Sequence, residues 1–201
     1  MPDASTRVSL LDRLRDTADQ VAWREFADRY SDLLLRYALQ RGLAIHDAED
    51  AVQASLVRLS RSLTRFEYRA ELGTFRAYLR RVVENEIRRA AERRRSRPST
   101  LPIDAERDVA APESGQLEEI WNREWMDHHY RLALAAVRDV VEPQTFAAFE
   151  SLLSGTPVAE VAAAFSMSAD NVYKIKQRMR DRLREAVESQ LRAEEFRERR
   201  S

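Results

Sequence analysis

Three groups of residues carry side chains that could do chemistry. The first is Asp47, Glu49, Asp50 and Gln53, three carboxylates and an amide within seven positions. Such a cluster could hold a divalent metal or act as an acid/base pair. No glycine-rich loop or second carboxylate cluster supports either role. On a helix these residues join Ala54 and Val57 as a strip opposite the apolar side. A strip mixing carboxylate, amide and small apolar groups is either a docking face or an ordinary solvated face, and spacing alone leaves both open.

The second group places Phe66, Tyr68, Phe75 and Tyr78 among Arg65, Arg69, Arg76, Arg80 and Arg81. Aromatic faces stack unpaired bases while arginines hold the backbone, so the pattern suits single-stranded nucleic acid. Phe75 and Tyr78 read equally well as core. Phe66 and Tyr68, in a segment without period, are the better candidates for bases. The third group is residues 156–184, which read as helix, short turn, helix. The second of these helices has an inner stripe of Val172, Ile175, Met179 and Leu183. Opposite it lies a polar face of Asp170, Asn171, Tyr173, Lys174, Gln177 and Arg178, with Ser168 as cap. A scaffold helix followed by a helix with that face fits a helix-turn-helix, whose second helix enters the major groove. An ordinary helical hairpin is the rival.

The whole chain must position these groups. It has 201 residues, equal numbers of acidic and basic side chains, 34 of each, and no cysteine. Thiol nucleophiles, thiolate metal sites and disulfides are therefore excluded. Three histidines are too few for a histidine-rich metal centre. The longest purely apolar run, Leu132–Val137, is far short of the roughly 20 residues a membrane span needs. We expect a soluble, cytoplasmic, reducing-compartment protein without a cofactor. The zero net charge conceals sorted blocks. Residues 65–97 hold 11 arginines against five glutamates, 98–130 hold two arginines against eight carboxylates, and 168–184 hold six cations against two aspartates. Two basic segments flanking an acidic one could grip a polyanion at two places.

Gly42 and Gly155 mark helix ends, and Asp47, Thr74, Pro143, Pro157 and Ser168 mark helix starts. Helical periodicity covers Trp23–Tyr37, the Asp47 helix, a long helix from Phe75, residues 116–141 and the last two helices. No strand pattern and no repeat occurs. The sequence predicts an all-α protein of two small helical domains. These are an N-terminal domain over 1–96, an extended proline-bearing linker over 97–116, and a helix-turn-helix domain over 117–201.

Three runs together, DAEDAVQASLVRL at 47–59, FRAYLRRVVENEIRRAAERRR at 75–95 and PVAEVAAAFSMSADNVYKIKQRMRDRLRE at 157–185, resemble bacterial RNA polymerase sigma factors. The likeness is to the short, two-domain extracytoplasmic-function (ECF) type and covers roughly residues 20–190. The resemblance implies a non-enzymatic promoter-specificity subunit. Its partners would be core RNA polymerase, through the β′ and β subunits, and promoter DNA, with an anti-sigma factor as a further candidate and no direct membrane contact. It implies that Asp47, Glu49, Asp50, Gln53 and Val57 dock on polymerase. It gives Arg65, Phe66, Tyr68, Arg69, Arg76, Arg80 and Asn85 to the melted −10 element. Ser168, Asp170, Asn171, Tyr173, Lys174, Gln177 and Arg178 go to the −35 element. The sequence departs from the family pattern at Ser60 and Tyr78, where tryptophan is common, at Ser166 in place of a usual turn glycine, and at Asn171 in place of threonine. A stand-alone helix-turn-helix regulator is the alternative; it leaves the 47–57 strip unexplained.

Overall fold

The computed structural model describes residues 10–11, 13–14, 16, 18–63, 74–96 and 114–195. The chain is all-α, and among the described residues there are seven helices and no strand. They are α1 (Gln20–Gln40), α2 (Ile45–Leu63), α3 (Phe75–Arg95), α4 (Ser114–Arg138), α5 (Pro143–Leu153), α6 (Val158–Ala164) and α7 (Ala169–Glu195). The segment 64–73, with Arg65, Phe66, Tyr68 and Arg69, lies outside the described residues, as does 97–113 of the expected linker.

Local chemistry sets the helix ends. Asp19 caps α1 by accepting the Ala22 N–H at 2.8 Å, and the Arg13 guanidinium donates to the same carboxylate. Thr74 caps α3 through the Ala77 N–H at 3.2 Å. Glu142 caps α5, accepting from the N–H groups of Gln144 and Thr145, which holds its carboxyl below the ordinary range. Gly42 and Gly155 adopt φ of 83° and 89° at the ends of α1 and α5. The following N–H groups then reach back, Leu43 to the Ala38 carbonyl and Thr156 to that of Ser151. The carboxylates predict a start for α2 at Asp47. The helix begins at Ile45 instead, because the Ala48 N–H already bonds the Ala44 carbonyl at 2.9 Å.

The described residues form two compact units, divided between His128 and His129 inside α4. The first comprises residues up to 128 with 193–195, and the second residues 129–192. The sequence placed the second domain from 117. The difference comes from Trp121 and Trp125, one helical turn apart, which are almost fully buried within the first unit. Each indole removes about 150–250 Å² from water, a strong reason for this stretch to pack there.

In the first unit α3 packs on α2, and α1 on both. Its core holds Phe26, Tyr30, Leu33, Leu34, Tyr37, Leu59, Leu79 and Val83. Rings link it: Phe26 to Tyr30 at 4.7 Å, Tyr30 to Phe75 at 5.6 Å, Tyr37 to Trp121 at 5.0 Å and Trp121 to Trp125 at 5.7 Å. Phe75 is thus a core residue.

The second unit is built on Ala133, Val137, Phe146, Phe149, Ile175, Met179 and Leu183, with Ala148, Val161 and Val172 packed under α6. The far part of α7 belongs to this unit. Ala186 and Val187 pack against the core, and buried Gln190 hydrogen-bonds the His129 ring at 2.9 Å. The stretch after Arg184 is therefore a structural continuation of the last helix.

Candidate nucleic-acid interface

In the second unit, helix α6 is short and alanine-rich, and its buried Val161 sits in the cluster with Ala148 and Val172. The turn between α6 and α7 passes through Ser166 at φ 53°, a left-handed conformation that a side chain resists. The Met167 N–H then bonds the Ala162 carbonyl at 2.9 Å, and Gln144 of α5 donates to the Phe165 carbonyl. Ser168 caps α7, accepting the Asn171 N–H at 3.1 Å.

Every third or fourth residue of α7 is buried, from Val172 through Ile175 and Met179 to Leu183. All seven residues expected to face DNA, Ser168, Asp170, Asn171, Tyr173, Lys174, Gln177 and Arg178, are exposed. Tyr173 keeps 58% of its surface in water. Their interactions are local: Lys174 pairs with Asp170 at 2.7 Å, and Gln177 donates to Asp181 at 3.1 Å. Exposed pairs of this kind contribute only about 0–1 kcal/mol, so a ligand can displace them.

The first unit carries the other expected sites. Glu49, Asp50 and Gln53 are exposed on α2, Asp47 is half-buried, and Val57 is 48% exposed. The opposite side of α2 buries Ala48, Ala51, Val52, Ser55 and Leu59. Asp47 and Asp50 line a groove with Arg89, Glu92, Arg93 and Arg94 of α3. The groove thus brings carboxylates of α2 near a mostly basic stretch of α3. Among the described residues no group of three His, Cys, Asp or Glu side chains could hold a metal ion. No helix among them is long and apolar enough to cross a membrane.

Of the residues expected at the −10 element, only Arg76, Arg80 and Asn85 are described. Asn85 is half-buried. Both arginines are engaged by protein. Arg76 donates to the Asn122 carbonyl oxygen of α4 and stacks 5.3 Å from the centre of the Trp125 ring. Arg80 donates to Glu84 at 2.8 Å. Tyr78, where the family often has tryptophan, is half-buried and hydrogen-bonds Ser62 of α2.

The sequence did not reveal the polar network behind Arg80. The Tyr37 hydroxyl donates to Glu84 at 2.8 Å, Arg41 donates to the same hydroxyl at 3.2 Å, and Arg41 stands 4.0 Å from Glu84. Burial pushes the Glu84 carboxyl up, but the hydrogen bonds from Arg80 and Tyr37 and the nearby cations outweigh it and hold it below its ordinary value. Burial and the Glu84 carboxylate together push the Tyr37 phenol up. A further carboxylate, the buried Glu86, is clamped by Arg89 at 2.6 Å and by Arg58 of α2 at 3.1 Å. Tyr37 and Glu84 are 47 positions apart, so no local spacing could have announced their contact.

Comparison with known proteins places this geometry. Residues 26–97, spanning most of α1 together with α2 and α3, match the family described as sigma-70 region 2. The chain is similar to the ECF RNA polymerase sigma factor SigE of Mycolicibacterium smegmatis. The two are 29% identical over 187 residues, which is 91% of this chain and 68% of the relative. A region 2 match on the first unit and a likeness over 91% of the chain make this protein similar to the ECF sigma factors of the sigma-70 family.

Proposed function

We propose that this protein is an ECF sigma factor, which binds core RNA polymerase through the α2 face of Asp47, Glu49, Asp50, Gln53 and Val57 and directs it to promoters carrying two elements. The second unit reads the −35 duplex with the outer face of α7. The first unit, with residues 65–85, holds the melted −10 strand. It acts by binding energy alone and works in the cytoplasm, with polymerase β′ and β subunits, promoter DNA and an anti-sigma factor as partners.

The observation that carries the proposal is the sidedness of α7. Four apolar residues are buried at helical spacing, while Lys174, Gln177 and Arg178 point outward together with a 58%-exposed tyrosine. Lysine, glutamine and arginine can donate to base-edge acceptors in the major groove. The mixed α2 strip gives polymerase a separate place to dock.

The test is run-off transcription with purified core polymerase and a promoter library. Defined transcripts that need this chain support the proposal. Tight duplex binding without polymerase, and no transcripts with it, would favour the stand-alone regulator. For Lys174→Ala or Arg178→Ala we expect −35 binding to weaken by about 1–3 kcal/mol where a base contact is lost. Equal loss on scrambled DNA would assign the residue to phosphates instead.

A further inference from the structure

The first part of α4, residues 116–128, lies on the arginine-rich helix α3 within the first unit. Its hold on Arg76 is double. Asn122 accepts a hydrogen bond from the guanidinium, and the same group lies over the Trp125 ring. One turn earlier, Glu118 adds an electrostatic pull on Arg80. Trp121 packs edge-on against Tyr37, the ring whose hydroxyl joins the Arg80–Glu84 network. The segment is also acidic, with Glu118, Glu119, Glu124 and Asp127 against Arg123. An arginine can offer its face and its donors to a protein partner or to a base and a phosphate, but the groups of one guanidinium serve one partner at a time.

We propose that residues 116–128 act as a displaceable strap, which withholds Arg76 from single-stranded DNA until it is lifted from α3. The proposal rests on the assignment of this arginine to the opened strand. The strap competes with DNA by occupying the same cation with an aromatic face and an amide oxygen, the chemistry a nucleic-acid strand would itself supply. Release exposes two indoles that are buried when the strap is down. The binding energy of the incoming strand must therefore exceed the burial it undoes.

The test uses the full chain and a pool of random-sequence single-stranded 20-mers. Asn122 is exposed, so changing it leaves the core intact. Asn122→Ala removes the acceptor and should tighten binding of the pool about threefold. Asn122→Asp turns the contact into an ion pair and should weaken it about threefold. In a Trp23→Phe background, where the indole emission comes from Trp121 and Trp125, adding the pool should shift emission to the red. An unchanged emission maximum on saturation, or variants that do not move in opposite directions, would overturn the strap. Arg76→Ala separates this failure from that of the underlying assignment. If Arg76→Ala weakens binding while the Asn122 pair has no effect, the strap alone falls. If Arg76→Ala leaves binding unchanged, Arg76 is no strand contact and the strap has nothing to withhold.

Discussion

In the second unit the polar face of α7 stands open, its side chains paired only to residues one turn away. In the first unit Arg76 and Arg80 are already held, one by α4 and one by a half-buried carboxylate network. Both units have apolar cores built the same way, from helices that bury one stripe each. The difference lies in the charged groups. A surface that reads intact duplex meets a ligand of fixed shape and can wait preformed. Under the proposed roles the first unit takes an opened strand, a flexible ligand, and its cations carry structural work as well. The two units should accordingly respond differently to substitution.

The largest effect we expect is in the core beneath the open face. Phe149, 2% exposed, packs with Ile175 and Met179. Phe149→Ala should cost about 3–5 kcal/mol, read by thermal unfolding, and duplex binding should fail with it. Retained duplex affinity in a destabilised variant would show that the α7 face does not depend on its platform.

In the first unit, Glu84→Ala removes the common acceptor of Tyr37 and Arg80 and should cost about 1–3 kcal/mol, measured by denaturant unfolding. A pH dependence follows. Against the push of burial, the Arg80 and Tyr37 hydrogen bonds hold the Glu84 carboxyl below its ordinary value in the folded state, so its contribution is fully present above that ordinary value. It is lost as pH falls from there through the depressed folded value. Glu84→Gln should flatten the acid limb of the stability curve. An unchanged limb would mean that other carboxylates carry it.

The smallest effect is a gain. Ser166 holds φ 53° in the turn before α7. Ser166→Gly relieves that strain and should stabilise the second unit by about 0.5–1 kcal/mol, seen as a raised melting temperature with duplex binding unchanged. A loss of duplex affinity would mean that the strained turn sets the pitch of α7.

Much of this was legible in the sequence, for stated reasons. The helices follow from apolar residues three and four apart, and the caps Thr74 and Ser168 and the stops Gly42 and Gly155 stand where their chemistry requires. The outward set on α7 was readable because an inner stripe defines an outer face. Contacts between distant helices were not readable. The helical period of α4 runs unbroken from one unit into the other, so nothing local marks a division at His128. Arg76 looked like a nucleic-acid contact because its neighbours in sequence are aromatic and basic. Its actual partners, Asn122 and Trp125, lie more than 45 positions away. In the sequence Glu84 is only a charge within a basic block, whereas in the fold it is the hub of a half-buried network.

The docking role of α2 is the claim on which the rest turns, and complex formation with purified core polymerase tests it most directly. On size-exclusion chromatography the chain should co-elute with the core enzyme, and Asp50→Ala with Gln53→Ala should reduce co-elution while leaving the helical content intact. A chain that elutes apart from core polymerase, or a double variant that binds as well as the parent, would contradict it.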